Sequence, residues 1–274
     1  MLFYKKVFDF YIKSSLHLGF CVVSLYLVSI FKQQITVNHY VLICLFSSTI
    51  IVYNFIKYAS TLPYYFFVQN APIKKIQILS FISGCVLLFS LFFLDWKTLF
   101  FGFILFLICL LYVFPLNHSK SNFRNRSKIK LFLVAICWSG STVLLPFIES
   151  QQIDYYGSIV LFIQFFLFVV IYSMPFEIRD LKYDSKELRT IPQIFGIKKS
   201  KYISYILSFI FISISFINQS KNNDLISDVL ISVILIFIIY RTKKNQTKYF
   251  SSFWVESVPV YWFIIQSILF GRIV

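Results

Sequence analysis

Charge is what this sequence has least of. Only 14% of its 274 residues are Asp, Glu, Lys or Arg, against 58% that are hydrophobic. A soluble domain carries about 25% charged residues, so roughly half the charge needed to coat a water-facing surface is missing. That shortage excludes a soluble enzyme, a disordered tail and a conventional nucleic-acid binder. Acids are scarcest, 11 against 26 Lys and Arg. The five cysteines, Cys21, Cys44, Cys85, Cys109 and Cys137, contain no C-x-x-C pair and lie in apolar stretches. They read as small apolar residues, and a disulfide scaffold is excluded. His17, His39 and His118 are scattered and suggest no metal site. There is no P-loop, no G-x-G-x-x-G, no nucleophile elbow and no repeat of about 20–50 residues.

What the chain does have is long runs without charge. They cover residues 14–31, 33–56, 76–94, 98–119, 131–148, 155–176 and 202–220. Two more follow, 225–240, interrupted by Asp228, and 249–271, interrupted by Glu256. Each is long enough to cross a hydrocarbon layer of about 30 Å. Backbone groups in lipid must be satisfied internally, and the alternation of a membrane barrel is absent, so the runs predict helices. The expected fold is an all-α, polytopic membrane protein of nine transmembrane helices forming one integral domain over residues 1–274. Residues 1–13 read as an amphipathic interfacial helix, Leu2, Phe3, Val7, Phe10 and Tyr11 against Lys5, Lys6 and Lys13. With the first span they resemble an uncleaved signal-anchor. Pro63 and Pro72 make 58–73 a poor spanning helix, leaving a re-entrant or interfacial piece as the alternative.

Nine crossings sort the loops into two sets. The N-terminal segment with 57–75, 120–130, 177–201 and 241–248 holds 22 of the 26 Lys and Arg. The other set has only Lys32, Lys97, Lys221 and Arg272. The positive-inside rule then puts the N-terminus and the basic loops in the cytoplasm and the C-terminus outside. The net charge of +15 is mostly topology rather than a sign of an anionic partner. The Lys, Ile, Phe and Asn bias suggests an AT-rich bacterial genome, hence the inner (plasma) membrane.

Acids break this pattern in one cytoplasmic loop, residues 177–200. Glu177, Asp180, Asp184 and Glu187 crowd together there. The first three fall at i, i+3 and i+7, which stacks them on one face of a helix. Like charges so stacked repel one another unless a cation lies between them. Carboxylates without His or Cys suit Mg²⁺, which commonly shares its shell with a phosphate. Arg179, Lys182, Lys186 and Arg189 are interleaved, as a polyanion site requires. The plainer alternative is a mixed-charge loop neutralising itself at a membrane surface.

The string Glu177-x-x-Asp180-x-x-x-Asp184, followed by Thr190-Ile191-Pro192-x-x-x-Gly196, resembles the second aspartate motif of the UbiA superfamily of intramembrane prenyltransferases. Tyr112-Val-Phe-Pro115, a basic loop and the stretch from Lys130 to Trp138 resemble that family's fourth-to-fifth-helix connection. The likeness spans the chain in layout and about thirty residues in motif. It implies a UbiA-like bundle with a site facing the cytoplasm. It also implies Mg²⁺ and transfer of a prenyl group from a prenyl diphosphate to a lipid-soluble, hydrophobic acceptor, with membrane lipid and no nucleic acid as the surroundings. Glu177, Asp180 and Asp184 become the expected metal ligands, with Asp180 and Asp184 carrying catalysis.

The family's first motif, N-D-x-x-D-x-x-x-D, departs in this chain. Asn54 matches its Asn, but Phe55, Tyr58 and Leu62 stand at the three acid positions. One Mg²⁺ site is therefore expected rather than two. Lys57 is a candidate to meet diphosphate charge directly, the alternative being a snorkelling cation at a helix end. Arg126, Lys130 and Arg189 are further diphosphate candidates. Glu256, an acid inside an apolar run, must face a cavity or a partner; it could orient a basic residue or act as a base. Two functions stay open, a prenyltransferase of altered metal dependence and a non-catalytic relative that binds an isoprenoid diphosphate or lipid or scaffolds a partner. A transporter fits poorly, since the acids gather on one face instead of in paired halves.

Overall fold

Lipid leaves an apolar backbone one economical solution, and the chain adopts it. A computed structural model describes residues 2–58, 71–113, 130–184, 188–217 and 222–271. Among them the regular structure is entirely helical. The short α1 (Leu2–Lys13) precedes α2 (Leu16–Gln33), α3 (His39–Tyr58), α4 (Ala71–Leu91) and α5 (Trp96–Val113). Then come α6 (Lys130–Glu149), α7 (Tyr155–Asp180), α8 (Ile191–Ile217), α9 (Asn222–Arg241) and α10 (Phe250–Phe270). Seven of these, α2, α3, α4, α6, α7, α9 and α10, are long and apolar enough to cross a membrane; α5 contributes a shorter apolar helix, Trp96–Leu111. Helix faces carrying Phe81, Phe89, Phe209 and Phe237 are exposed. Apolar surface on this scale is untenable in water and natural in lipid. The chain is an integral, multi-pass membrane protein.

Neighbours in sequence pack as neighbours in space. The helix pairs α2–α3, α3–α4, α6–α7, α7–α8, α8–α9 and α9–α10 are in contact, and α10 returns to α2. The buried core runs between α2, α7, α8 and α10, where Tyr26, Phe165, Phe168, Phe211 and Trp262 are fully covered. By contrast α4 and α5 barely touch.

The helices overrun the apolar stretches. The loop expected over 177–200 is largely helix, because α7 continues to Asp180 and α8 begins at Ile191. Likewise α4 begins at Ala71, with Pro72 in its first turn, where a missing N–H costs nothing. Absence of charge marks where lipid is tolerated, whereas backbone hydrogen bonding continues into the headgroup region.

Three prolines fall inside spans, Pro146, Pro175 and Pro259, and at the first and last of them the helix widens. In α6 a π-helical segment, Gly140–Leu144, directly precedes Pro146. In α10 a π-helical turn, Phe250–Val255, precedes Pro259. Proline has no N–H for the preceding turn, and a wider π turn absorbs the mismatch. We call the end of the bundle where α7 meets α8 the motif end.

Candidate functional site

At the motif end the first residue of α6 meets the last turns of α7. The Lys130 ammonium lies 3.5 Å from Glu177 Oε1 and 3.9 Å from Asp184 Oδ2. Glu177 sits one turn inside α7 and is buried. Asp184 does not extend the helical face beyond Asp180. Instead α7 ends at Asp180, whose carbonyl accepts from the N–H groups of Tyr183 and Asp184, both at 2.8 Å. This turn swings Asp184 back toward Glu177 and Lys130. Asp180 faces elsewhere: the Arg179 guanidinium donates to both its carboxylate oxygens, at 2.7 and 3.2 Å. The expected row of three acids is thus a converging pair plus a third acid held by its neighbour.

The rest of the motif has a structural logic. Thr190 caps α8: its carbonyl accepts from Ile194 N–H at 2.9 Å, and its own N–H donates to Gln193 Oε1 at 3.0 Å, half of a capping box. Pro192 occupies the first turn, where it fits. Gly196 has φ +76°, ψ 164°, breaking α8 between a short motif-end arm and the membrane arm. A side chain there would be strained, so glycine is required. Arg189, with φ +45°, is exposed at the bend.

The degenerate first motif lies at the end of α3. Asn54 is fully buried; its side-chain amide donates to Ser80 Oγ at 3.0 Å, and its Oδ1 has no hydrogen-bond partner. Lys57 donates to Ser15 Oγ at 3.0 Å and lies 3.5 Å from the Ile12 carbonyl, bracing the bend between α1 and α2. Ser15 there has φ +60°. Glu256 closes the π turn of α10, and Lys57 and Arg179 are the two cations that act on its carboxylate. Among the described residues Glu256 forms no ion pair within 4.0 Å; Lys57 donates to Ser15 instead, and Arg179 to Asp180. Arg126, Phe114, Pro115 and Leu62 lie outside the described residues, and Tyr112 falls in the last turn of α5.

Below this polar rim lies a cavity of about 540 Å³ between α2, α3, α4, α5 and α6. Its rim includes Ile56, next to Lys57, and Leu133, one turn below Lys130. Its depth reaches Leu94 and Thr98 near the other end. The walls are apolar apart from a few hydroxyls and thiols, and Trp138 donates to Tyr53 OH at 2.7 Å across one side.

An acidic pair with a lysine, a basic rim and a deep apolar cavity in a helical bundle can be compared with known proteins. No family model matches the sequence, and no curated protein is similar to it. Solved structures do share its shape. A UbiA homolog from Archaeoglobus fulgidus bound to GPP and Mg²⁺ superposes with a TM-score of 0.63 over 96% of this chain and 100% of that one, at 12% identity. An apo UbiA homolog from Aeropyrum pernix K1 gives 0.62 over 93% and 97%, at 13% identity. A digeranylgeranylglyceryl phosphate synthase gives 0.56 over 96% of both chains, at 15% identity. The fold is that of the UbiA homologs.

In the UbiA fold of this chain, the donor set can be tested for a divalent cation. Glu177 and Asp184 converge on one cationic point, and their oxygens suit Mg²⁺, which takes one or two carboxylates and completes its shell with phosphate and water. Asp180 is turned to Arg179, and among the described residues no three His, Cys, Asp or Glu side chains gather around one point. The residues therefore fit one ion shared with a phosphate ligand, and do not form a protein cage.

Tyr53, Trp138 and the cavity they line escaped the sequence reading. The chain is 21% aromatic, so functional rings do not stand out from lipid-facing ones. A Trp inside a largely aliphatic span was the one available signal, since its N–H needs a partner.

Proposed function

We propose that this protein is a divergent member of the UbiA superfamily that binds a prenyl diphosphate at the motif end and transfers its prenyl group to a hydrophobic acceptor. The carrying observation is the convergence of Glu177 and Asp184 on one cation at the rim of an apolar cavity, within a UbiA fold. The diphosphate lies at the rim, with Lys130, Lys57, Arg189 and Arg126 as its basic partners. The prenyl chain enters the cavity beneath. Mg²⁺ held by Glu177 and Asp184, when bound, supplies charge that stabilises the leaving diphosphate. Ser15 holds Lys57 and Asp180 holds Arg179, Glu256 adds negative charge behind them, and the cavity walls exclude water from the allylic carbon. In the membrane, nine crossings put the motif end and the N-terminus on the cytoplasmic side of a bacterial inner membrane. This orientation is supported by the uneven distribution of Lys and Arg.

A second reading rests on the first motif, where Phe55 and Tyr58 replace acids at the end of α3. A chain with half the carboxylates could bind an isoprenoid diphosphate or lipid without turning it over, or could scaffold a partner. One assay separates the two. Purified protein in lipid discs is given a panel of prenyl diphosphates, Mg²⁺ and candidate acceptors, and pyrophosphate release is followed, with Asp184→Ala and Asp180→Ala as controls. Release that needs Asp184 supports transfer. Binding without release supports the second reading, and no diphosphate binding at all removes the first and leaves only lipid binding or scaffolding of the second.

A further inference from the structure

The cavity runs beside α3 and α5 for most of their length. Its lining along α3 extends from Ile56 to Cys44, twelve residues, or about 18 Å at 1.5 Å per residue. Along α5 it extends from Cys109 to Thr98, eleven residues, or about 16 Å. The deep end is the turn joining α4 to α5, which carries Leu94. That turn is fastened on both sides. Asp95 N–H donates to Glu149 Oε2 at 3.1 Å, Gln151 donates to Asp95 Oδ2 at 3.1 Å, and Phe93 stacks on Tyr40 with ring centres 4.3 Å apart. A floor tied to the start of α3 and the end of α6 stops a chain instead of yielding to it.

Gly102 lies partway down the α5 wall. Glycine weakens a helix interior, so it is expected where a neighbour presses on the backbone. Gly19 and Gly140 are of that kind: a Cβ there would stand 2.9 Å from the Phe46 ring and 3.0 Å from Leu105. A Cβ at Gly102 would meet Leu145 Cδ1 at 3.8 Å, an ordinary contact. Packing among the described residues does not demand glycine at this position. What it does is keep the cavity open at that depth.

We propose that the cavity measures the prenyl chain and selects a diphosphate bearing about four isoprene units, the geranylgeranyl length, with Gly102 keeping its deep half open. This rests on the reading of the motif end as a prenyl diphosphate site. An isoprene unit adds four main-chain carbons, about 4–5 Å when extended at C–C bonds of about 1.5 Å. With the diphosphate at the rim, four units reach from Ile56 to the floor at Leu94. Two units leave the deep half unfilled, which forfeits contacts as truncating a core side chain does. Eight units meet the floor. Gly102 stands seven residues deeper than Cys109, about 10 Å, so a bulky side chain there leaves length for about two units.

The test uses the full chain in lipid discs with Mg²⁺. Prenyl diphosphates of two, three, four, six and eight units compete with radiolabelled farnesyl diphosphate. The wild type should bind the four-unit compound on the order of tenfold more tightly than the two-unit one, and the eight-unit compound on the order of tenfold more weakly than the four-unit one. Gly102→Phe should weaken four-unit binding on the order of tenfold and leave two-unit binding unchanged. Gly102→Leu serves if Gly102→Phe does not fold. Gly84→Leu, at a glycine that also has open space but lies off the cavity, should keep the wild-type order. An optimum at two units, eight-unit binding as tight as four-unit binding, or a Gly102 variant with the wild-type order would each overturn the proposal. If no prenyl diphosphate binds, the diphosphate reading fails by itself. Prenyl alcohols of the same lengths, counted on the protein by native mass spectrometry, then decide the proposal: a four-unit optimum that Gly102→Phe shortens supports it, and uptake indifferent to length overturns it.

Discussion

At the end of the bundle away from the motif, the Lys32 ammonium meets Asp228 Oδ2 at 2.8 Å, with side chains 5% and 0% exposed. At the motif end, Lys130 stands 3.5 and 3.9 Å from its two acids, and all three retain some exposure. The buried pair has further partners, all on one carboxylate oxygen, while Asp228 Oδ1 has no hydrogen-bond partner. Asp228 Oδ2 also accepts from Gln164 Nε2 at 2.8 Å and Ser215 Oγ at 2.5 Å, and Lys32 lies 5.7 Å from the Trp262 ring centre. Around it the short loops are tied. Asn38 donates to Glu149 Oε1 at 3.0 Å, Asp95 N–H to Glu149 Oε2 at 3.1 Å, and Gln33 to the Val143 carbonyl at 3.3 Å. A closed, desolvated pair with this many partners has no room for a ligand and serves to fix helix against helix. The looser group at the motif end is the kind that can exchange partners with one. The same residue types are thus structural at one end and available for chemistry at the other, and the difference lies in burial and in how closely the partners meet.

Breaking one partner at each end tests that contrast. Lys32→Ala should strand a buried carboxylate and lower stability by about 3–5 kcal/mol, read as a fall in thermal midpoint in detergent, whereas Lys32→Met with Asp228→Leu should recover most of it. A Lys32→Ala protein as stable as wild type would remove the structural role. Asp184→Asn should leave the thermal midpoint within about 1 kcal/mol of wild type while lowering any prenyl transfer by about 10²–10³-fold. A large stability loss there would make the two ends alike. Tyr53→Phe removes the partner of the Trp138 N–H on the cavity wall. The expected cost is about 1 kcal/mol, with a larger effect on binding of long prenyl chains than short ones, measurable by competition with chains of different length.

The smallest effect concerns α1. Lys248 and Tyr249 donate to Asp9 at 2.7 and 2.6 Å and hold its carboxyl below its usual pKa. The folded state therefore binds the proton less readily than the unfolded one. The contact contributes fully above about pH 4 and is lost as pH falls through the lowered value. A fluorophore on α1 should report undocking only in strong acid, and Asp9→Asn should abolish that transition without affecting the motif end.

Much of this was legible in the chain. The apolar runs announce helices because their length and lack of charge leave no other way to satisfy a backbone in lipid. Glu177, Asp180 and Asp184 could be nominated from spacing, and Gly196 from the motif on which the resemblance rests. Other features were hidden. Asp228 looked like a blemish near the end of a span, because its partner lies 196 residues away. Asp180 and Asp184 looked equivalent, because nothing in their spacing says that α7 stops between them. The cavity was invisible, because its walls are made of the same Leu, Phe and Val that face lipid.

The sequence by itself determined that the chain is helical, membrane-embedded and sorted by charge, since these follow from local composition and the cost of burying unpaired polar groups. Only the tertiary structure decided which charges are spent on packing and which remain exchangeable. Pairing depends on distances between helices, and the same lysine and carboxylate are inert when sealed from water and reactive when a ligand can reach between them.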